Sequence, residues 1–142
     1  MPEMTTQQLA NVAWALGKLK VKDRIKLYER VAAVIQEFHA LDLANLVWAY
    51  AVLRHYDERI SPRLEMVMDE FSVQELVNTT WAIGALQFSN ASLLSAVTRS
   101  VKEQLKSPTE LSLQHLASLA WALAKSSVDI MQDMCKIGQT LL

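Results

Sequence analysis

The chain has 142 residues, 51% of them hydrophobic, with three Gly and three Pro. That length can bury one sizeable core, and so few turn-formers leave little material for β-hairpins or a flexible linker. A net charge of -1 gives no global attraction to polyanions, and the single Cys135 excludes an internal disulfide framework or a zinc site built on several cysteines.

The first element opens at Thr5. Thr5 and Gln8 stand three apart, as in a capping box, and Met4 with Leu9 fits the hydrophobic staple. At a helical period, Leu9, Val12, Leu16 and Leu19 fall on one side and Trp14 on the other, so this helix reads as apolar on two faces. Ala10 and Gly17 flank the ring, a pattern that lets a neighbouring helix approach while the ring fills the remaining groove. A second, conventionally amphipathic helix is predicted over 22–38, with the stripe Ile25, Tyr28, Val31, Ile35 and Phe38.

The pattern then restarts at His39, with the staple Phe38/Leu43 and the block Leu43-Ala44-Asn45-Leu46-Val47-Trp48-Ala49. Ser61-Pro62 predicts an N-cap with Pro at the first helical position, for a short helix running to about Phe71. Ser72/Glu75 forms a second capping box before Leu76-Val77-Asn78-Thr79-Thr80-Trp81-Ala82, with Leu76, Thr79, Ile83 and Leu86 on one side and Val77 and Gly84 beside the ring. Asn90 caps the next helix, marked by Leu93/Leu94, Val97, Val101 and Leu105. Lys106-Ser107-Pro108-Thr109 is a loop insertion. Ser112 and His115 open the last copy, Leu116-Ala117-Ser118-Leu119-Ala120-Trp121-Ala122, and a final helix is expected from Val128, Met131, Met134/Cys135, Gly138 and Leu141/Leu142.

The four Trp are spaced by 34, 33 and 40 residues. A period of that size marks a repeat architecture. The chain reads as all-α, an α-solenoid of four helix-turn-helix repeats with about eight helices. It forms a single domain over 1–142, with units near 5–38, 39–71, 72–106 and 112–142.

The phrase Phe71-Ser72-Val73-Gln74-Glu75-Leu76-Val77-Asn78-Thr79-Thr80-Trp81-Ala82-Ile83-Gly84-Ala85-Leu86 resembles the octotricopeptide repeat. It is also similar to the heptatricopeptide units found upstream of RAP domains. The family pattern, roughly Q-x-L-x-N-x-x-W-A-x-A-x-L, is matched by Gln7 to Leu19 and by Gln74 to Leu86. The second copy departs at Leu41, and the fourth at Ser118 and Ser126. The resemblance implies an α-solenoid that binds RNA in mitochondria or plastids, in RNA processing, translation or organellar ribosomes. Four units reading one base each would specify only about four nucleotides, too few to single out a transcript. That arithmetic favours a component of a larger ribonucleoprotein such as the ribosome, whose RNA would be ribosomal or an organellar transcript. The alternative is a structural scaffold that docks proteins without base-specific RNA recognition.

The Gln seven before and the Asn three before each Trp are four apart and share a helical face, joined by the residue four after the Trp. Aligned repeats would set up the ladder Gln7/Asn11/Lys18, Leu41/Asn45/Val52, Gln74/Asn78/Ala85 and Gln114/Ser118/Lys125. Amides there can read base edges, or they can brace adjoining repeats through backbone hydrogen bonds. Both readings stay open at this point. Phosphate contacts are expected near Lys20 and Lys22 and along two basic stripes, Lys22/Lys26/Arg30 and Arg99/Lys102/Lys106. Interleaved Asp23, Glu29 and Glu103 favour a solvated face for those stripes. The Trp rings are expected to be structural wedges.

An enzyme is not expected. No phosphate-binding glycine loop or nucleophile elbow occurs, and His39, His55 and His115 lack metal-ligand spacing. No metal, cofactor or small-molecule substrate is therefore anticipated. No apolar run approaches the roughly 18 residues of a membrane span, and Met1-Pro2-Glu3-Met4 shows no targeting pattern. The first and last units keep apolar residues where solenoids have polar caps, so other protein subunits are expected to cover them.

Overall fold

The computed structural model describes residues 3–21, 24–106 and 112–125. Among them are seven α-helices and no strand: α1 (Thr6–Leu19), α2 (Ile25–Val34), α3 (Ala40–Leu53), α4 (Ile60–Val67), α5 (Val73–Ala85), α6 (Ala91–Leu105) and α7 (Leu113–Lys125). Single 3₁₀ turns, Ile35–Glu37 and Met68–Glu70, finish α2 and α4. The helix expected from Val128 to Leu142 lies outside the described residues, as do Lys22 and most of the insertion after Lys106.

The odd-numbered helices touch in the order α1, α3, α5, α7, and α2, α4 and α6 pack against α1, α3 and α5 in turn; α4 also touches α6. One hydrophobic core runs between these two rows. Leu9, Leu43 and Leu76, each five before a Trp, enter it together with Val31, Phe38, Leu64, Phe71, Leu93 and Val97. Short-range signals set the helix starts. Both expected capping boxes form: Thr5 with Gln8 and Ser72 with Glu75 each exchange two backbone N–H bonds, where loss of one cap typically costs about 1 kcal/mol. Asn90 accepts from the backbone N–H groups of Ser92 and Leu93. Ser112 and His115 form the same reciprocal pair at α7.

One expected start is displaced. Helix α4 begins at Ile60, so Ser61 sits inside it, buried and with its hydroxyl unpartnered. Asp57 supplies the start instead, its carboxylate accepting from the Arg59 backbone N–H at 3.1 Å and its carbonyl from Ile60 N–H at 3.2 Å. The expected α2 stripe is shifted as well. Leu27, Val31 and Ile35 are buried, whereas Ile25, the first residue of the helix, is 68% exposed.

The second apolar face of the odd-numbered helices is made by small residues rather than by the Trp rings. Ala10, Gly17, Ala44, Ala51, Val77 and Gly84 are buried, and Gly17 and Gly84 stand against Ala49 and Ala122 of the next helix of the row. A Cβ added at Gly84 would come within 2.6 Å of the Ala122 carbonyl oxygen, so α5 and α7 approach backbone to backbone. Ala117 and Ala124 of α7 hold the matching positions and are exposed, because no described helix lies beyond them. At the other end Val12 and Leu19 are exposed on α1, whereas Leu46 of α3, the equivalent of Val12, is fully buried.

Candidate functional site

Helices α1, α3 and α5 end alike. Six residues after the Trp, Lys20 and Arg54 take left-handed backbone at φ 53° and 55°, and Gln87 follows at 57°. Their N–H groups bond back to Gly17, Ala51 and Gly84 carbonyls, and the next residues, Val21, His55 and Phe88, bond to Leu16, Tyr50 and Ile83. This closes the helix without a glycine. It fixes a long polar side chain at the same place in three units.

The Trp residues form a row on the outer surface of these helices. Trp14 and Trp121 are 46% and 43% exposed, and Trp48 and Trp81 are half-buried against the core. Trp48 and Trp81 thus pack as structural residues would, whereas Trp14 and Trp121 are more open than wedges between helices would be, with no further layer of described residues over them. Trp14 and Trp48 lie 6.4 Å apart between ring centroids, and Trp81 and Trp121 6.2 Å apart at 20°. Trp48 and Trp81 make no ring contact, so the row is two pairs. Lys18 Nζ sits 5.3 Å from the centroids of both Trp14 and Trp48, and Lys125 Nζ 6.0 Å from that of Trp121, each within the reach of a cation–π attraction.

The amide ladder stands beside this row. Gln7, Asn11, Gln74, Asn78 and Gln114 are exposed, and Asn45 is half-buried. At the last junction the amides brace one another. Ser112 N–H donates to His115 Nδ1, leaving Nε2 to donate to Gln74 Oε1 at 3.0 Å, and Gln74 Nε2 donates to Asn78 Oδ1 at 2.9 Å. At the first junction the link is Thr6 Oγ1 to Asp42 Oδ2, 3.0 Å. Among the described residues no side-chain hydrogen bond joins α3 to α5, and Gln7, Asn11, Asn45 and Gln114 make none. The amide bracing found is thus side chain to side chain and at the last junction alone; the alternative of an Asn bonded to the adjoining repeat's backbone is not met at Asn11, Asn45 or Asn78 among the described residues.

The basic stripes stand on α2 and α6, in the other row of helices. Lys26 is exposed and Arg30 half-buried. Arg99 faces Asp69 at 3.9 Å, Lys106 pairs with Glu103 at 2.7 Å, and Lys102 lies exposed between them on α6. Of the expected phosphate contacts among the described residues, Lys20 follows the amide-bearing helix α1 directly. The surface between Met68 and Gln104 holds a concavity of about 350 Å³, but its Arg99 and Ser100 both turn to Asp69.

A different feature opens at the middle junction. A groove of about 550 Å³ is lined by Ala51, Arg54, Tyr56, Trp81, Ala85, Leu86 and Gln87. Small side chains at Ala51 and Ala85 leave the space, and the left-handed positions put Arg54 and Gln87 at its rim. Tyr56 is 47% exposed and leans on Phe88, ring centroids 4.7 Å apart. Arg54 has no described partner, and no carboxylate lines the groove. Sequence reasoning missed this site. Its signal is the triplet that closes each helix, Leu19-Lys20-Val21, Leu53-Arg54-His55 and Leu86-Gln87-Phe88, which carries no glycine and so does not read as a cap.

Behind the groove His55 stacks flat on Tyr28 at 3.5 Å and meets Tyr50 edge-on at 4.7 Å. Its Nε2 and the Tyr50 hydroxyl are buried without hydrogen-bond partners. Burial lowers the His55 pKa below the usual imidazole value, against the pull of Asp57, and raises that of Tyr50, with Asp57 adding to the effect. Burial alone would push Asp57 up, but two hydrogen bonds at 2.8 Å from the Arg59 guanidinium, with that of its backbone N–H, outweigh it and hold the carboxyl below its usual range. His55 is thus held by ring packing and Asp57 by Arg59, and no group of three His, Cys, Asp or Glu among the described residues could hold a metal ion.

Against known proteins, the family model of the RNA-editing substrate-binding complex 6 protein matches residues 24–131, most of the chain. No curated protein matches it.

Proposed function

Because the chain belongs to the family of the RNA-editing substrate-binding complex 6 protein, we propose that it is a non-catalytic, RNA-binding subunit of a multi-protein RNA-editing assembly. An editing assembly takes the place of the ribosome as the particle expected from the repeats alone. The chain acts as a short α-solenoid of four octotricopeptide-like units, presenting one face of its odd-numbered helices to single-stranded RNA in the mitochondrion. The observation that carries this reading is the surface of the odd-numbered helices. There, unpaired amides of Gln7, Asn11, Asn45 and Gln114 border exposed Trp rings, with Lys18 and Lys125 held over the outer ones. Aromatic platforms with flanking cations are what sequence-tolerant binding of unpaired nucleic acid requires. Protein partners cover the apolar ends, where Leu19, Ile25 and Leu113 are exposed.

The test is anisotropy of a labelled single-stranded RNA titrated with the full chain at several salt concentrations. Binding that weakens as salt rises is the expected result. No affinity at low salt would overturn the reading and leave the protein-docking scaffold in its place.

A further inference from the structure

Trp81, which lines the groove at the middle junction, is the ring of the tryptophan row over which no cation lies among the described residues. At the outer junctions Lys18 and Lys125 lie over the rings. At the same positions of the middle units stand Val52 and Ala85, and the row of rings is broken between Trp48 and Trp81. The cation there comes instead from Arg54, displaced to the rim by its left-handed backbone.

We infer that this groove binds one unpaired nucleotide of the RNA, its base against the rings of Trp81 and Tyr56 and its phosphate at Arg54. The inference rests on the RNA-binding reading above and names where on the surface recognition is strongest. Each part of a nucleotide finds its match among the lining residues. Two accessible aromatic rings offer a π-face to any base. A guanidinium with no carboxylate beside it offers a planar fork for phosphate. The Gln87 amide brings a donor and an acceptor to the base edge. A volume of about 550 Å³ falls within the range of small-ligand pockets and is open enough for the strand to pass on. A charged peptide would meet only one cation here and no acid, and an aliphatic side chain would leave Arg54 and Gln87 unmatched. No side-chain bond ties α3 to α5, so the base meets a junction that the protein has not already laced shut.

The experiment compares wild type with Tyr56→Leu, Tyr56→Phe and Arg54→Asn in the anisotropy assay, each variant checked for an unchanged melting temperature. Leu keeps the apolar cover on Phe88 but removes the π-face, and Asn tolerates the left-handed backbone. Tyr56→Leu is expected to weaken RNA binding about tenfold, and Tyr56→Phe to leave it unchanged. Arg54→Asn should lower the slope of log affinity against log salt by about one phosphate's worth. If wild type binds RNA and both Tyr56→Leu and Arg54→Asn bind as tightly with the same salt slope, the groove is not the site, while the RNA-binding function stands. If wild type itself does not bind, both fall.

Discussion

The same substitution, glycine to alanine, should have opposite signs at Gly17 and Gly84. Alanine in a helix interior gains roughly 0.5–1 kcal/mol over glycine from the unfolded chain's lost freedom. At Gly17 the added Cβ would lie 3.7 Å from Val52 Cγ1 and 3.8 Å from the Ala49 carbonyl oxygen, ordinary contact distances, so the gain is kept. At Gly84 it would lie 2.6 Å from the Ala122 carbonyl oxygen and 2.9 Å from its Cα. Both are backbone atoms that cannot rotate aside, so α7 must move off α5. Forced overpacking costs about 1–3 kcal/mol. Net of the helix gain, Gly84→Ala should lose about 1–2 kcal/mol and Gly17→Ala gain up to about 1 kcal/mol, or melting shifts of roughly 4 °C per kcal/mol in opposite directions. Urea unfolding of the full chain followed by circular dichroism measures both. The double variant should show the sum, since the sites lie at different junctions. A Gly84→Ala protein as stable as wild type would refute the close approach of α5 and α7.

Three further outcomes follow from the side chains. Thr79 is buried with an unpartnered hydroxyl, where the other units have Val12, Leu46 and Leu119; Thr79→Val should stabilise by about 1–2 kcal/mol, and a loss in urea midpoint would count against it. His55 titrates below its ordinary 6.5 in the folded protein, so the unfolded chain takes up the proton first. Stability should therefore be full above about pH 6.5 and fall as pH drops towards the folded value, a step that His55→Phe, which keeps the stack on Tyr28, should flatten in urea midpoints measured across that window. Lys18→Ala removes an exposed cation from two rings. It should lower the salt slope of RNA binding by about one while costing under about 1 kcal/mol of stability, so an equal loss of stability and an unchanged slope would make Lys18 a packing residue.

Local signals were legible wherever the chain satisfies its own backbone. Thr5/Gln8, Ser72/Glu75 and Asn90 form their caps because the partners lie within one turn, and Leu9, Leu43 and Leu76 reach the core because their period leaves no other face. Ser61 was misread because Pro62 mimics a helix start while Asp57, one turn earlier, makes it. The exposure of Trp14 and Trp121 was illegible for another reason. Periodicity reports which residues share a side of a helix, and it is silent on whether a second layer lies over that side. The amide ladder shared a face as expected. That Gln74 is bound at both ends of its amide depends on His115, 41 residues away, a contact no spacing rule supplies. The groove was illegible because it is made of what is missing, the bulk absent at Ala51 and Ala85 and the glycine absent from each helix end.

Those glycine-free helix ends have a consequence for how such a surface can change. A left-handed residue other than glycine carries a standing strain of roughly 1–2 kcal/mol, and the fold accepts it at Lys20, Arg54 and Gln87. In return three units keep a side chain at one fixed point of the rim, held by main-chain bonds that do not depend on what that side chain is. Lysine, arginine and glutamine already occupy the three points with φ angles that agree within a few degrees. Exchanging one for another alters the chemistry met by a bound strand without disturbing a helix, so the rim is a set of interchangeable slots on a constant frame.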